Sequence, residues 1–304
     1  MQPTIGAQRL RESEPDSHAE EWAFRGRVNS ESVPLSQKQD GSARTMHNKA
    51  LQADEETMMR MPNVHGVIRR RLLVNFRVDP AAIRRSLPSP FQPKLQDGYA
   101  VAGICLIRLE QIRPKFVPSV LGISSENAAH RIAVTWEDAT GPHEGVYIPR
   151  RDSNSMINHL AGGRLFPGEH NRAKFDVEET DNRINFRMES TDQVVKVDLS
   201  ASVSAQMPQD SCFRSLQEAS KFFEGGSLGY SATSDKDRLD GIELRTQKWL
   251  VSPLAVERVH SSYFADKSRF PEGSAQFDCA LIMRNIEHEW LAASDLHIPP
   301  SGIR

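Results

Sequence analysis

The sequence predicts a mainly β fold of the α+β class, in which a strongly curved antiparallel sheet or barrel carries a few short helices on its outside. Two observations lead to this prediction. Apolar and polar residues alternate over many short segments, which is typical of strands with one buried face. Segments with helical character are few and brief, and most connections between segments are short.

The chain begins with a polar segment that we expect to be disordered. Residues 1–57 are dominated by Arg, Glu, Ser, Gln and Asp, and apolar residues cluster only around Trp22. Such a segment cannot bury enough apolar surface to offset the conformational entropy lost on ordering. The predicted organisation is therefore a disordered tail over residues 1–57 and a single β-barrel domain over residues 58–298.

The first predicted elements of the domain are a strand, a short helix and a buried strand. The β-rich sequence VIRRRLLVNFRV begins at Val67. Asp79 is placed to cap a helix whose first position is Pro80, and Leu87-Pro88 ends that helix. The run YAVAGICLIRL over residues 99–109 is almost continuously apolar, as expected for a buried strand.

A β-hairpin and a second helix are predicted next. Apolar and polar residues alternate over residues 131–136, and a second strand-like run covers residues 145–148 after a turn. Ser153 or Ser155 can act as the N-cap of a two-turn helix that a Gly-Gly pair would end.

The rest of the chain predicts a meander of strands and one more helix. Ser215 and Glu218 fit the capping box of a helix that Gly225 stops. Alternation of apolar and polar residues indicates the strands. The predicted strands cover residues 172–177, 184–188, 195–203, 242–251, 254–264 and 279–284.

Composition argues against several classes of partner. The 38 basic residues nearly cancel the 40 acidic ones, so no bulk electrostatic attraction draws the chain to nucleic acid or anionic lipid. No apolar run reaches the roughly 18 residues that a membrane-spanning helix needs. The three cysteines are far apart and lack C-x-x-C spacing, which fits a reducing compartment. We expect a cytoplasmic protein with a small-molecule ligand and no nucleic-acid or membrane partner.

No cofactor or metal ion is predicted. The sequence contains no Walker loop, dinucleotide fingerprint or nucleophile elbow. It has ten histidines, but none of them is in H-x-x-x-H or H-E-x-x-H spacing. Cys105 lies in the most apolar predicted strand and is interpreted as a small buried hydrophobic residue.

Several segments make the chain resemble a known superfamily. They are NFRVDPAAIRRSLPSPFQP with DGYAVAGICLIRLEQIRP, then LFPGEHNRAKF, FFEGGSLGYSAT and WLVSPLAVERVHSSYF. In this order they are similar to the acetoacetate decarboxylase-like superfamily, in particular its YqjF-like bacterial branch, over residues 67–290. The resemblance implies a cone-like β barrel whose interior binds a small organic acid or ketone, often in a homo-oligomer.

The resemblance also implies a catalytic lysine, which this sequence lacks at the expected place. In the decarboxylases a lysine pair follows a Phe-Pro or Tyr-Pro step, and one lysine forms a Schiff base with the ketoacid. Here Phe166-Pro167 is followed by Gly168 and Glu169. Lys174 lies further on and reaches the pocket only if its face of the strand points inward. A decarboxylase with the family mechanism is therefore disfavoured.

The candidate site residues are charged side chains in and around the segment 146–178. Arg131 can clamp a carboxylate through two hydrogen bonds, or else it forms an ion pair at the surface. Catalytic proton transfer is assigned to Glu144, Glu169 and His170, because His titrates near neutral pH and burial raises a carboxyl pKa. The alternative for each is a loop residue in water. Substrate binding is assigned to Arg131, Arg164, Arg172 and Lys174.

Two functions follow from the sequence. The first is a protein that binds a small carboxylate or carbonyl metabolite in the barrel and, if it is catalytic, acts as a lyase or hydratase without a Schiff-base lysine. The alternative is a non-catalytic module that binds or senses a small molecule.

Overall fold

A computed structural model describes residues 63–155 and 168–298 of the chain. The predicted tail over residues 1–57 and the predicted helix between Ser155 and Gly162 lie outside the described residues, so both stay predictions. The helices of the described part are α1 (Pro80–Arg84), α2 (Leu216–Glu224) and α3 (Ser262–Ala265), with a 3-10 turn at Ser119–Leu121. The strands are β1 (Val64–Val78), β2 (Gln92–Pro93), β3 (Leu95–Gln96), β4 (Tyr99–Pro114), β5 (Ile123–Asp138), β6 (Gly141–Ser153), β7 (His170–Glu179), β8 (Arg183–Ser190), β9 (Lys196–Val203), β10 (Leu228–Ala232), β11 (Arg238–Thr246), β12 (Ser252–Ser261) and β13 (Ala275–His297).

The strands close into two hydrogen-bonded rings that share one wall. The larger ring runs β6-β7-β8-β9-β12-β13-β1-β4-β5 and returns to β6. The smaller ring runs β6-β10-β11-β13-β1-β4-β5 and also returns to β6. The shared wall is therefore formed by β13, β1, β4, β5 and β6. The predicted mainly β fold with few short helices is confirmed, and its closed sheet has two compartments.

Most neighbouring strands are antiparallel, but β6 has two parallel partners. It pairs in parallel with β7 and with β10. The chain cannot reach a parallel neighbour through a tight turn, and here 16 residues, 154–169, separate the end of β6 from the start of β7. Both rings therefore close at β6 through parallel neighbours that the chain reaches by long connections. The alternation of apolar and polar residues does not reveal such pairings.

The two faces of the shared wall point into different rings. Along β1, Leu72 and Val74 belong to the core of the larger ring together with Phe186 of β8. Leu73 lies on the opposite face, in a second apolar cluster with Cys105 of β4. Successive side chains of a strand point to opposite faces, and both faces are buried here. This explains why the sequence of β4 is almost continuously apolar.

Two of the predicted helix N-caps are confirmed. The side chain of Asp79 accepts a hydrogen bond of 2.8 Å from the backbone N–H of Ala81 at the start of α1. Ser215 Oγ accepts one of 3.1 Å from the N–H of Glu218 at the start of α2. The Glu218 carboxylate returns to the N–H of Arg214, at 2.7 Å, instead of that of Ser215. Helix α2 is thereby fixed over one end of the smaller ring.

Several strand predictions differ from the structure; the predicted strand 242–251, for example, corresponds to β11 at Arg238–Thr246. The segment after α2 forms strand β10, which is not among the predicted strands. The predicted strand 254–264 ends at Ser261, because Tyr263 and Phe264 form helix α3 and pack into the larger ring. Strand β13 is 23 residues long instead of six, since its later half pairs with β11 in the smaller ring.

Of the helices in the described residues, none is long and apolar enough to cross a membrane.

Candidate functional site

Three arginines of the shared wall lie on the side of the smaller ring. They are Arg71 of β1, Arg131 of β5 and Arg151 of β6. Arg71 shares a face of β1 with Leu73, and both line a cleft with Arg131. Arg151 contacts Ser231 of β10, a strand that belongs only to the smaller ring. The strands thus gather three guanidinium groups in one compartment.

Arg131 is held by a thiol, an amide and an aromatic ring. Its side chain is buried, with only 4% of the residue exposed. Its Nε donates to Cys105 Sγ at 3.0 Å and its Nη2 donates to Asn75 Oδ1 at 2.5 Å. The guanidinium carbon lies 4.8 Å from the centre of the Phe223 ring in α2, which is a cation–π contact. Arg131 is therefore oriented by groups on two strands and a helix.

Arg71 has hydrogen-bonding capacity to spare. Its Nη2 lies 3.6 Å from Cys105 Sγ, and its guanidinium stacks on Trp249 at 5.6 Å. Its Nε and Nη1 are shielded from solvent and have no hydrogen-bond partner among the described residues. A buried donor without an acceptor is unfavourable by about 1–3 kcal/mol, and more for a charged group. An acceptor placed beside Arg71 would relieve this.

Arg151 is positioned by a single hydroxyl. Its Nε and Nη2 donate to Ser231 Oγ at 3.1 Å and 2.9 Å. Burial lowers the pKa of Arg151 to about 10, and the attraction of Cys105 and Asp240 opposes that shift. The guanidinium is therefore still charged near neutral pH.

The positive charge of the compartment is only partly compensated. None of the three arginines forms an ion pair with a carboxylate of the described residues, and Asp240 is instead bonded to the N–H of Gly168 at 3.0 Å. The acidic group that touches two guanidiniums is the Cys105 thiol. Burial alone would raise the pKa of this thiol, but the charges of Arg131 and Arg71 outweigh burial and lower it.

Two small spaces adjoin the guanidinium groups. A cleft of about 10 Å³ lies under α2 between Arg71, Arg131 and Phe223, which is room for roughly one water molecule. A larger cavity of about 50 Å³ lies at the other end of the compartment. Its lining includes Arg151, His170, Asn127, Ile107, Ile242 and Trp290.

The predicted site residues divide into inner and outer positions. Arg131 is buried in the smaller ring, and His170 lines the cavity beside Arg151. Glu144 lies at the rim, where its carboxylate is 2.7 Å from Lys94 Nζ and its side chain is 48% exposed. Glu169 is exposed at the start of β7 and does not line either space.

The remaining predicted residues lie away from the compartment. Arg172 and Lys174 are exposed, while Ala173 between them is buried. Lys174 lines a groove on the outer surface with Glu189 and Asp198, so its face of β7 points outward. Arg164 lies outside the described residues. The structure thus brings Arg131 and His170 into one compartment and leaves the other described candidates at its rim or outside.

Metal binding has no support in the described ranges. There, no three His, Cys, Asp or Glu side chains come close enough together to hold a metal ion.

A family model matches most of the chain, including the strands that form the compartment. Residues 67–282, which include Arg71, Cys105, Arg131 and Arg151, match the model of the DUF2071 family, described as uncharacterized conserved proteins. The chain belongs to this family. Comparison with curated proteins gives no match.

Solved structures with the same fold as this DUF2071 chain are acetoacetate decarboxylase-like. One is an acetoacetate decarboxylase-like enzyme from Sphingomonas wittichii RW1, 14% identical, with a TM-score of 0.51 over 78% of this chain and 93% of that chain. Another is an acetoacetate decarboxylase from Legionella pneumophila, 13% identical, with a TM-score of 0.50 over 78% of this chain and 88% of that chain. At these identities the likeness shows the fold, and the expected decarboxylase-like fold is confirmed.

The backbone of the DUF2071 chain explains why no side chain follows its Phe-Pro step. Gly168 has a φ of +82°, a conformation that L side chains rarely adopt. A Cβ built on Gly168 would lie 2.5 Å from Cβ of Ser231 and 3.0 Å from the carbonyl oxygen of Ala232. A lysine at position 168 is therefore incompatible with this arrangement of β10.

Sequence reasoning missed Arg71, Arg151 and Cys105. The run Arg69-Arg70-Arg71 is visible in the sequence, and alternation along a strand places Arg70 on the opposite face from its two neighbours. Alternation does not show which of the two faces lines the site. Cys105 looked like any buried thiol, since its two guanidinium neighbours come from strands 34 and 26 residues away. An arginine inside an apolar strand was the one local signal available.

Proposed function

We propose that this DUF2071 protein binds a short-chain organic acid in the cavity beside Arg151. The observation that supports the proposal is the set of three guanidinium groups in one compartment, without a carboxylate partner among the described residues. Charged side chains removed from water are normally paired. A ligand carboxylate would supply the missing countercharge.

Arg151 is suited to hold the carboxylate. Ser231 Oγ takes the hydrogen bonds of Nε and Nη2, and Nη1 donates to no described residue. The hydroxyl therefore fixes the plane of the guanidinium, while both N–H groups of Nη1 remain for a ligand. Arg131 and Arg71 lie toward the α2 end of the compartment and add to its positive potential.

The rest of the cavity suits a small apolar chain. Ile107, Ile242 and Trp290 provide apolar walls, and the volume is about 50 Å³. A cavity with apolar walls and a few polar groups is typical of a small-molecule site. His170 also lines this cavity and is the side chain placed to exchange a proton with a ligand carbonyl or hydroxyl. The corresponding reaction would be a lyase or hydratase step without a covalent amine intermediate.

A binding or sensing module is the second candidate function. It is favoured by Gly168, which leaves no room for a lysine, and by Glu169, which is exposed. In this case the same cavity holds the acid and no bond of the ligand is broken.

Calorimetric titration with a matched set of small molecules tests the binding proposal. Pyruvate carries a carboxylate and a carbonyl, lactate carries a carboxylate and a hydroxyl, and hydroxyacetone carries no carboxylate. We expect pyruvate or lactate to bind and hydroxyacetone not to bind. Arg151→Met should weaken binding about 10-fold or more, since a hydrogen bond to a charged group contributes about 1.5–3 kcal/mol. Arg172→Met, an exposed arginine on the next strand, is the control and should leave the affinity unchanged.

The binding proposal fails if neither acid binds, or if the Arg151 and Arg172 variants bind equally well. For an acid that does bind, its turnover is followed by proton NMR. Turnover that His170→Ala abolishes, with binding retained, supports the enzyme. Binding without turnover supports the module.

A further inference from the structure

The end of the same compartment near α2 contains a cysteine in contact with arginine side chains, and its reactivity does not depend on the proposed organic acid. Cys105 Sγ accepts a hydrogen bond from Arg131 Nε at 3.0 Å and lies 3.6 Å from Arg71 Nη2. Arg151 is close enough to Cys105 for a mutual electrostatic effect. Cationic side chains beside a cysteine favour its thiolate, which is the nucleophilic form.

The other two cysteines of the chain provide a contrast within the same apolar cluster. Cys212 and Cys279 are buried like Cys105. Burial and the nearby Asp278 raise the pKa of Cys212 well above its ordinary value. The same two causes raise the pKa of Cys279 well above its ordinary value. The three thiols are therefore matched in burial, and they differ in the sign of the charge beside them, which is positive at Cys105 and negative at Cys212 and Cys279.

The cleft under α2 adjoins the two arginines that contact this thiol, although Cys105 itself does not line the cleft. It is lined by Arg71 and Arg131, the two arginines that contact Cys105, and it has room for about one water molecule, at about 10 Å³. Arg71 also presents Nε and Nη1 without a partner among the described residues. These donors can hold an oxygen atom of a small molecule beside the sulfur.

We propose that Cys105, Arg71 and Arg131 form a peroxide-reactive thiol site whose substrate is hydrogen peroxide, the smallest peroxide. The sulfur attacks one peroxide oxygen, so that an S–O bond forms and the O–O bond breaks. The other oxygen leaves as hydroxide with the electron pair and takes a proton from solvent to become water. Sulfur is oxidised by two electrons to a sulfenic acid, and the peroxide is reduced. The guanidinium groups stabilise the negative charge that develops on the leaving oxygen.

Timed oxidation of the full-length protein tests the proposal. The folded protein is exposed to hydrogen peroxide, the reaction is stopped with catalase, and the chain is denatured in dimedone or in N-ethylmaleimide. Peptide mass spectrometry then gives the oxidised fraction of each cysteine. We expect Cys105 to be oxidised at least about 10-fold faster than Cys212 and Cys279, and to carry the dimedone adduct.

Variants of the arginines separate charge from burial. Arg71→Met and Arg131→Gln should each slow the oxidation of Cys105 about 10-fold or more, while Arg69→Met, on the exposed side of β1, should not change it. Absorbance of the thiolate at 240 nm, lost in Cys105→Ser, reports ionisation separately. Because Arg131 is buried and its variant can unfold, the partly exposed Arg71 supplies the second measurement. Oxidation of Cys105 at the same rate as Cys279 in the folded wild type would overturn the proposal, as would a rate that neither arginine variant changes.

Discussion

Three consecutive arginines of β1 have three different surroundings, so their replacement by methionine should have different effects on stability. Arg69 is on the outer surface, with its side chain 47% exposed, and it pairs with Glu110 at 2.7 Å. Arg70 is 2% exposed and points toward the larger ring. Arg71 points toward the smaller ring. The Arg70→Met variant gives the sharpest stability prediction, and Arg69→Met is its control.

The expected cost of Arg70→Met follows from its ion pairs. Nη2 of Arg70 lies 2.5 Å from Oε2 of Glu126, and Nη1 lies 2.5 Å from Oε2 of Glu179. The Glu126 side chain is only 10% exposed, and its other ion pair is with Arg108 at 3.8 Å. Removing one partner of a buried pair leaves an uncompensated charge and costs about 3–5 kcal/mol. Removing an exposed partner, as in Arg69→Met, costs about 0–1 kcal/mol.

The cost should also depend on pH. Burial raises the pKa of Glu126 in the folded protein, and Arg70 and Arg108 oppose that shift. Without Arg70 the pKa rises further. A carboxyl whose pKa is higher in the folded state takes up a proton on folding, so its contribution to stability is present at low pH and lost as pH rises. The deficit of Arg70→Met should therefore be largest near neutral pH and shrink toward about pH 5.

Urea unfolding followed by tryptophan fluorescence, at neutral and at mildly acidic pH, measures both effects. Adding Glu126→Gln to Arg70→Met should recover part of the stability at neutral pH, because it removes the unpaired charge. The reasoning is refuted if Arg70→Met costs no more than Arg69→Met, or if its deficit grows on acidification.

Two further predictions concern single positions. Gly168→Ala should destabilise the protein by about 2–4 kcal/mol, because the new side chain meets both a left-handed φ and a collision with Ser231. Gly98 has a φ of +81° with open space around it. As the control, Gly98→Ala should destabilise the protein by only about 1–2 kcal/mol in the same urea assay. His130 is fully buried, and burial lowers its pKa to about 3, helped by Arg150 and Arg269. The free energy of unfolding should therefore decrease as the pH drops below about 6.5, by up to about 1.4 kcal/mol per pH unit. In His130→Phe this pH dependence, measured from melting curves at several pH values, should be weaker. An unchanged pH dependence would contradict the assignment.

Local signals in the sequence were enough for most elements of the fold. Alternation located the meander β7-β8-β9, and Asp79 and Ser215 marked the starts of two helices, because these features depend on neighbours in sequence. Strand β10 was missed because its Leu-Gly-Tyr-Ser-Ala sequence has a weak apolar pattern. It is a strand because β6 and β11 pair with it. Closure of two rings on one wall is a long-range property that local alternation cannot give.

The candidate site was predictable only in part, for a similar reason. Arg131 was identified as a side chain that can clamp a carboxylate through two hydrogen bonds. Cys105 was not, since its chemistry comes from guanidinium groups on β1 and β5. Lys174 alternates with Ala173 and Phe175 as a strand residue should, and only the closed ring decides that its face is the outer one. The spacing of residues along a strand shows which of them share a face. Only the packing of the strands in the closed sheet shows whether that face points inward or outward.

The position that lacks a lysine and the arginines of the compartment are physically connected. Gly168 approaches Ser231 so closely that any Cβ would displace it, and Ser231 is the residue that holds Arg151 through two hydrogen bonds. A side chain at position 168 and the observed Arg151–Ser231 pair therefore exclude each other. Arginine keeps its proton at neutral pH and cannot act as an amine nucleophile, whereas it holds a carboxylate well. A Schiff-base lysine would need an uncharged amine on the loop at position 168. This chain instead has permanently charged arginines on the strands of the same compartment.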